Sequence, residues 1–134
     1  MNKTLLDDGQ FILSSTNNMF KEKDINVLLN QIEVHKYLIN QDIPWTISQD
    51  DAIFSWLENV YHPIMQVINQ WSVRSSFAKY SDSQLFFAIS DHWYYLLAKN
   101  EKISAYSAAV NYAAQYGTGL GHIVSKLSNP LKVA

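Results

Sequence analysis

Apolar residues along most of this chain recur at three- and four-residue steps, the spacing of one helix face, so the sequence predicts a mainly all-α fold. Asp24 is placed to cap a first helix in which Ile25, Leu28, Leu29, Ile32 and Ile39 share a face, flanked by Val34 and Leu38. That helix should fade near Asn40, because Ile43-Pro44 biases the backbone to extended geometry. Ser48-Gln49-Asp50-Asp51 resembles a capping box with acid in the first turn, where the helix dipole favours it. A stripe from Ile53 through Trp56, Val60, Ile64 and Val67 to Trp71 then runs straight through Pro63. Proline removes a hydrogen bond and clashes with the carbonyl four residues back, so a kink near Asn59–Tyr61, or two abutting helices, is expected.

Ser81-Asp82-Ser83-Gln84 is a second capping box. It opens a helix over about 82–99 that is apolar nearly all round, from Leu85 to Leu97, and such a helix should be central. Ser104 caps a further helix, Ala105 to Tyr116, whose alanines permit close helix approach, and Gly117 sits at the C-cap position. A short last helix is expected over 120–127. At the other end, Asp7-Asp8-Gly9 between two short apolar runs reads as a β-hairpin, followed by a loop over 14–18. The expected architecture is a single domain over 1–134: a hairpin and loop lead-in over 1–20, then a compact bundle of four to five helices over 24–127.

Composition narrows the chemistry. A chain of 134 residues, 48% hydrophobic, can bury a core without staples. It has no cysteine, which excludes disulfides, thiolate metal sites and a thiol nucleophile. No apolar run approaches the roughly 20 residues of a membrane span, and the acidic N-terminal segment does not read as a secretory signal. A cytoplasmic location with no membrane partner is the expectation. The net charge of −2 argues against nucleic-acid binding by bulk charge, and the six of the ten basic residues that lie in the C-terminal half, Arg74, Lys79, Lys99, Lys102, Lys126 and Lys132, are scattered and read as solvated surface charges.

Few residues carry a chemical signature. Tyr116-Gly117-Thr118-Gly119-Leu120-Gly121 has neither the strand before a dinucleotide loop nor the Lys-Ser/Thr ending of a phosphate loop, and reads as a helix end and turn. The histidines His35, His62, His92 and His122 form no pair at helical spacing, so no metal site or cofactor is expected. Asp91-His92 interrupts the helix that reads as buried, where a carboxylate needs a partner: a tyrosine hydroxyl, a histidine or Arg74. His35, Arg74, Asp91, His92 and Tyr95 are therefore the candidate polar or ligand site, read against the plainer alternative of a polar knot that sets helix register. No serine elbow and no carboxylate pair points to catalysis.

Several segments, taken together, carry a resemblance: Leu28 through Leu38, Asp51 through Pro63, Phe77 through Ile89, Asp91 through Leu96 and the alanine-rich helix after it. In order and spacing this stretch, His35 to Tyr116 above all, resembles an uncharacterised bacterial helical domain found downstream of ParB-like regions in proteins described as transcriptional regulators. The resemblance implies a helical fold and a regulatory or accessory role, with no mechanism attached. Where that domain has a Pro-Gly-Arg-Thr turn, this chain has Ala78-Lys79-Tyr80-Ser81, so a role carried by that arginine does not transfer. The functional expectation is a non-enzymatic interaction or accessory module that binds a protein partner or itself. The alternatives are a DNA-associated regulator and a small-ligand domain with a pocket near Asp91 and His92.

Overall fold

A computed structural model describes residues 5–100 and 102–118, and the regular structure among them is all helical, with no strand. The expected helix over 120–127, and with it His122, lies outside the described residues. The chain divides into two compact units, one ending at Glu58 and the next beginning at Asn59.

In the first unit, the predicted hairpin is instead helix α1 (Leu5–Ser15). The Asp-Gly dipeptide serves packing rather than a turn. Gly9 is buried, and a Cβ built on it would lie 2.9 Å from Ile25 Cγ2, so its missing side chain lets α1 approach the start of α2 (Ile25–Asp42). The helix stops at Asn17 and Asn18, which adopt positive φ of 54° and 57°. There Asn18 N–H bonds back to the Leu13 carbonyl at 2.9 Å, asparagine doing what glycine more often does at a helix end.

Asp24 does not cap α2 with its side chain as the sequence suggested. Its carboxylate instead accepts from Lys21 N–H at 3.0 Å and closes a 3₁₀ turn (Glu22–Asp24) ahead of the helix. Ser48 does cap α3 (Gln49–Trp56), its hydroxyl accepting from Asp51 N–H at 3.1 Å. Leu28, Ile32, Ile53 and Trp56 are fully buried between α2 and α3, and the Trp56 indole N–H donates to Gln31 Oε1 at 3.2 Å. The expected helix face is thus the core face.

The junction between the units falls inside a π turn (Leu57–Tyr61), at the place where Pro63 was expected to disturb the helix. Pro63 has no N–H for the Asn59 carbonyl, and widening the turn relieves the clash between its ring and that carbonyl. Helix α4 (His62–Ile68) then starts with the proline in its first turn, where it is tolerated.

In the second unit, α4, α6 (Asp82–Leu97) and α7 (Ala105–Tyr116) pack on one another, and the short α5 (Trp71–Arg74) packs against α4 and α7. The Ser81 capping box forms in both directions, Ser81 Oγ accepting from Gln84 N–H and Gln84 Oε1 from Ser81 N–H. Ser104 caps α7 through its hydroxyl alone, which accepts from Ser107 N–H at 3.1 Å. Ala105, Ala108, Ala109 and Ala113 are buried, as close approach requires.

Gly117 ends α7 in extended geometry (φ −77°), without the left-handed turn a C-cap glycine usually supplies. Its role is steric. A Cβ there would sit 2.8 Å from Ser76 Cβ, while Thr118 N–H donates to the Ser76 carbonyl at 3.0 Å and fastens the end of α7.

Helix α6 is only half as buried as its composition implied. Leu85, Phe86, Ile89 and Ser90 are buried, but no residue from Asp91 to Leu97 is fully so. Aromatic content in that half faces partly outward, and this is what opens a site.

Candidate functional site

His92, Tyr95, Leu96 and Lys99 stand at steps of three, four and seven, one stripe of α6 and its last turn. Across from them on α7, Asn111, Gln115 and Tyr116 face the stripe, and a groove of about 640 Å³ lies between. Ile103 also lines the groove. It is held there by the connecting loop, where Trp93 Nε1–H donates to the Ile103 carbonyl at 2.9 Å and Ile103 N–H to the Asn100 carbonyl at 3.2 Å. The volume falls within the range of small-molecule sites, which are largely apolar with a few placed polar groups.

A hydrogen-bonded knot lines the groove. Asn111 is 1% exposed, and its side-chain oxygen receives His92 Nε2 at 2.6 Å and the Gln115 amide nitrogen at 2.9 Å. An amide oxygen only accepts, so His92 carries a proton on Nε2 and the ring orientation is set from below. Rings enclose His92 on several sides: Tyr95 stacks at 6.2 Å between centroids, Tyr112 meets it edge-on at 5.3 Å and Tyr116 at 6.3 Å. Offset and edge-to-face contacts at these separations are the favourable ones.

The rim carries charge. Lys99 Nζ donates to the Tyr95 hydroxyl at 2.6 Å and lies 4.3 Å from the centre of the same ring. Lys99, Tyr95, Gln115 and Tyr116 are all exposed, so the groove opens to solvent along this edge. Among the described residues that line it, Lys99 is the one side chain bearing a full charge.

Of the residues predicted as one site, His92 and Tyr95 come together here and the others do not. Asp91 is exposed, not buried, and does not line the groove. The partial burial it retains raises its pKa, and its charge in turn acts on Tyr94. Arg74 is engaged elsewhere in the unit, donating to the Tyr80 carbonyl at 2.9 Å and the Phe77 carbonyl at 3.4 Å and pairing with Asp82 at 3.5 Å. His35 belongs to the first unit. Its Nε2 lies 2.8 Å from Ser55 Oγ and ties α2 to α3, and burial holds its pKa below the usual histidine value.

A neutral imidazole on a serine has the outline of a nucleophile and its base. Among the described residues, however, no carboxylate is hydrogen-bonded to that ring to orient it. Nor is any group of three or more His, Asp or Glu side chains placed to hold a metal ion among these residues.

Asn111, Gln115, Tyr116 and Lys99 were missed as site residues. The available signal was Asn111, an amide inside an alanine-rich buried face, followed four residues later by a second amide.

Comparison with protein-family profiles, curated proteins and solved structures finds no match to this chain. Among the described residues, no helix is long and apolar enough to cross a membrane.

Proposed function

We propose that this protein is a non-enzymatic helical binding domain and that its second unit binds a small organic ligand in the α6–α7 groove. The observation that carries this reading is the open groove, about 640 Å³, with a buried polar anchor at Asn111 and aromatic walls. The buried Asn111, holding His92 and tied to Gln115 at the rim, keeps the site formed before a ligand arrives, which lowers the ordering cost of binding. Ligand-observed NMR with a chemically diverse fragment set tests the proposal on the wild type and on Gln115→Trp, which fills the groove from an exposed position. Fragments that bind the first and not the second support it; fragments that bind neither, or both equally, overturn it.

A second reading, an interaction module for a protein partner or a second copy, is favoured by exposed aromatics. Trp45 is 64% exposed and Trp71 60%, large apolar surfaces of the kind interfaces use. Sedimentation velocity over a concentration series would reveal self-association, and Trp71→Ser would weaken it if that surface is used. The DNA-associated reading loses a cation, since the Arg74 guanidinium is committed to two carbonyls and Asp82.

A further inference from the structure

We infer that the ligand of this groove is a small aromatic carboxylic acid, its ring laid against the exposed side of the contacting Tyr95, His92 and Tyr116 rings and its carboxylate on Lys99 and Tyr95. The inference rests on the reading of the groove as a binding site and adds the chemical class. The charge on the rim comes first. Among the described residues that line the groove Lys99 is the one full charge, so at that lining an anionic ligand meets a cation, whereas an amine meets an ammonium.

Donor geometry comes second. The Tyr95 hydroxyl accepts from Lys99 at 2.6 Å, which leaves its own proton, and the remaining protons of the ammonium, free to donate outward. These donor atoms sit side by side, a spacing that spans the two oxygens of one carboxylate. Hydrogen bonds from a charged donor to a charged acceptor are the strong ones. A neutral amide in the same place accepts through one oxygen and sets an N–H donor against a donor.

Shape comes third. Beyond the rim the described walls are aromatic rings and the aliphatic side chains Leu96 and Ile103. The Tyr95 and His92 rings lie within 29° of parallel, and Tyr116 stands edge-on to His92 at 87°. A flat ring stacks on such a pair, with the third ring at its edge. The Gln115 amide nitrogen and His92 Nε2 both bond to the buried Asn111 oxygen, so that acceptor is already engaged within the protein.

The test is isothermal titration of the full chain with indole-3-acetate, its neutral amide indole-3-acetamide and the amine tryptamine. Each is measured on wild type, Lys99→Gln and Tyr95→Phe, both variants altering exposed side chains. The expected order is carboxylate tightest, then amide, then amine. Lys99→Gln should weaken the carboxylate by about tenfold and leave the amide within about twofold. Tyr95→Phe should weaken the carboxylate by less. Equal binding of carboxylate and amide, or no effect of Lys99→Gln on the carboxylate, overturns the aromatic-acid inference while leaving the groove a binding site. No heat from any of the probes, with no amide-resonance shift at α6 and α7 under the same additions, overturns both.

Discussion

Tyr94 presents a sharp case of a side chain whose removal should help. Its hydroxyl is buried and has no hydrogen-bond partner among the described residues, and its pKa is pushed up to about 12 by burial, with the nearby Asp91 charge adding to the effect. An unpartnered buried hydroxyl costs about 1–3 kcal/mol. Tyr94→Phe removes the oxygen and leaves a void of one atom, which returns a fraction of that gain. The variant should therefore be more stable at neutral pH by about 0.5–2 kcal/mol, read as a higher urea midpoint with an unchanged slope.

The pH dependence supplies an internal check. The folded phenol holds its proton to about 12 while the unfolded one releases it at the ordinary value of 10.0. Between those values the native state binds more protons, so wild-type stability falls as pH rises through that window. With about 1.4 kcal/mol per unit, the loss is on the order of 2 kcal/mol. Tyr94→Phe should lack that component, and its advantage over wild type should widen between pH 10 and 11.5. A variant less stable than wild type at pH 7, or an advantage that stays flat at high pH, would refute the account of Tyr94 as an unpaired buried hydroxyl.

Other consequences follow from the same structure. His35 has a lowered pKa, so the unfolded chain takes up a proton first as pH drops. Stability should fall from about pH 6.5 downward. His35→Gln should flatten that slope in urea midpoints taken at pH 7.5 and 5.5, and an unchanged slope would speak against it. Gly117→Ala should destabilise by about 1–3 kcal/mol, since the new Cβ meets Ser76 and the Ala113 carbonyl and strains the Thr118–Ser76 clasp. A neutral result by thermal melting would mean that the end of α7 is free to shift. Asn111→Leu removes the acceptor that both His92 and Gln115 use, and should cost about 2–3 kcal/mol and loosen the His92 ring. Side-chain NMR of the imidazole would show whether its orientation persists, which the account does not allow.

How much of this was legible beforehand depends on the range of the signal. Ser48, Ser81 and Ser104 cap as expected because capping is decided within four residues. The effect of Pro63 was equally local, and the π turn falls where the clash was predicted. Asp8-Gly9 misled because the same dipeptide serves a turn or a tight helix contact, and only the arrival of Ile25 distinguishes them. The misreading of Asp91 has a different origin. Composition described α6 as one uniformly apolar helix, but burial changes halfway along it, and no periodic pattern reports where a neighbour ends. His92 was recognised as a polar residue needing one partner. That partner, Asn111, lies nineteen positions away on a helix that the alanines had marked only as closely packed.

The central claim is that the α6–α7 groove is a ligand site, and amide-resonance mapping of the isotope-labelled full chain with a bound fragment tests it most directly. The account predicts saturable shifts concentrated on His92, Tyr95, Lys99, Ile103, Gln115 and Tyr116, with the first unit unmoved. Saturable shifts centred elsewhere, with these residues silent, would contradict it.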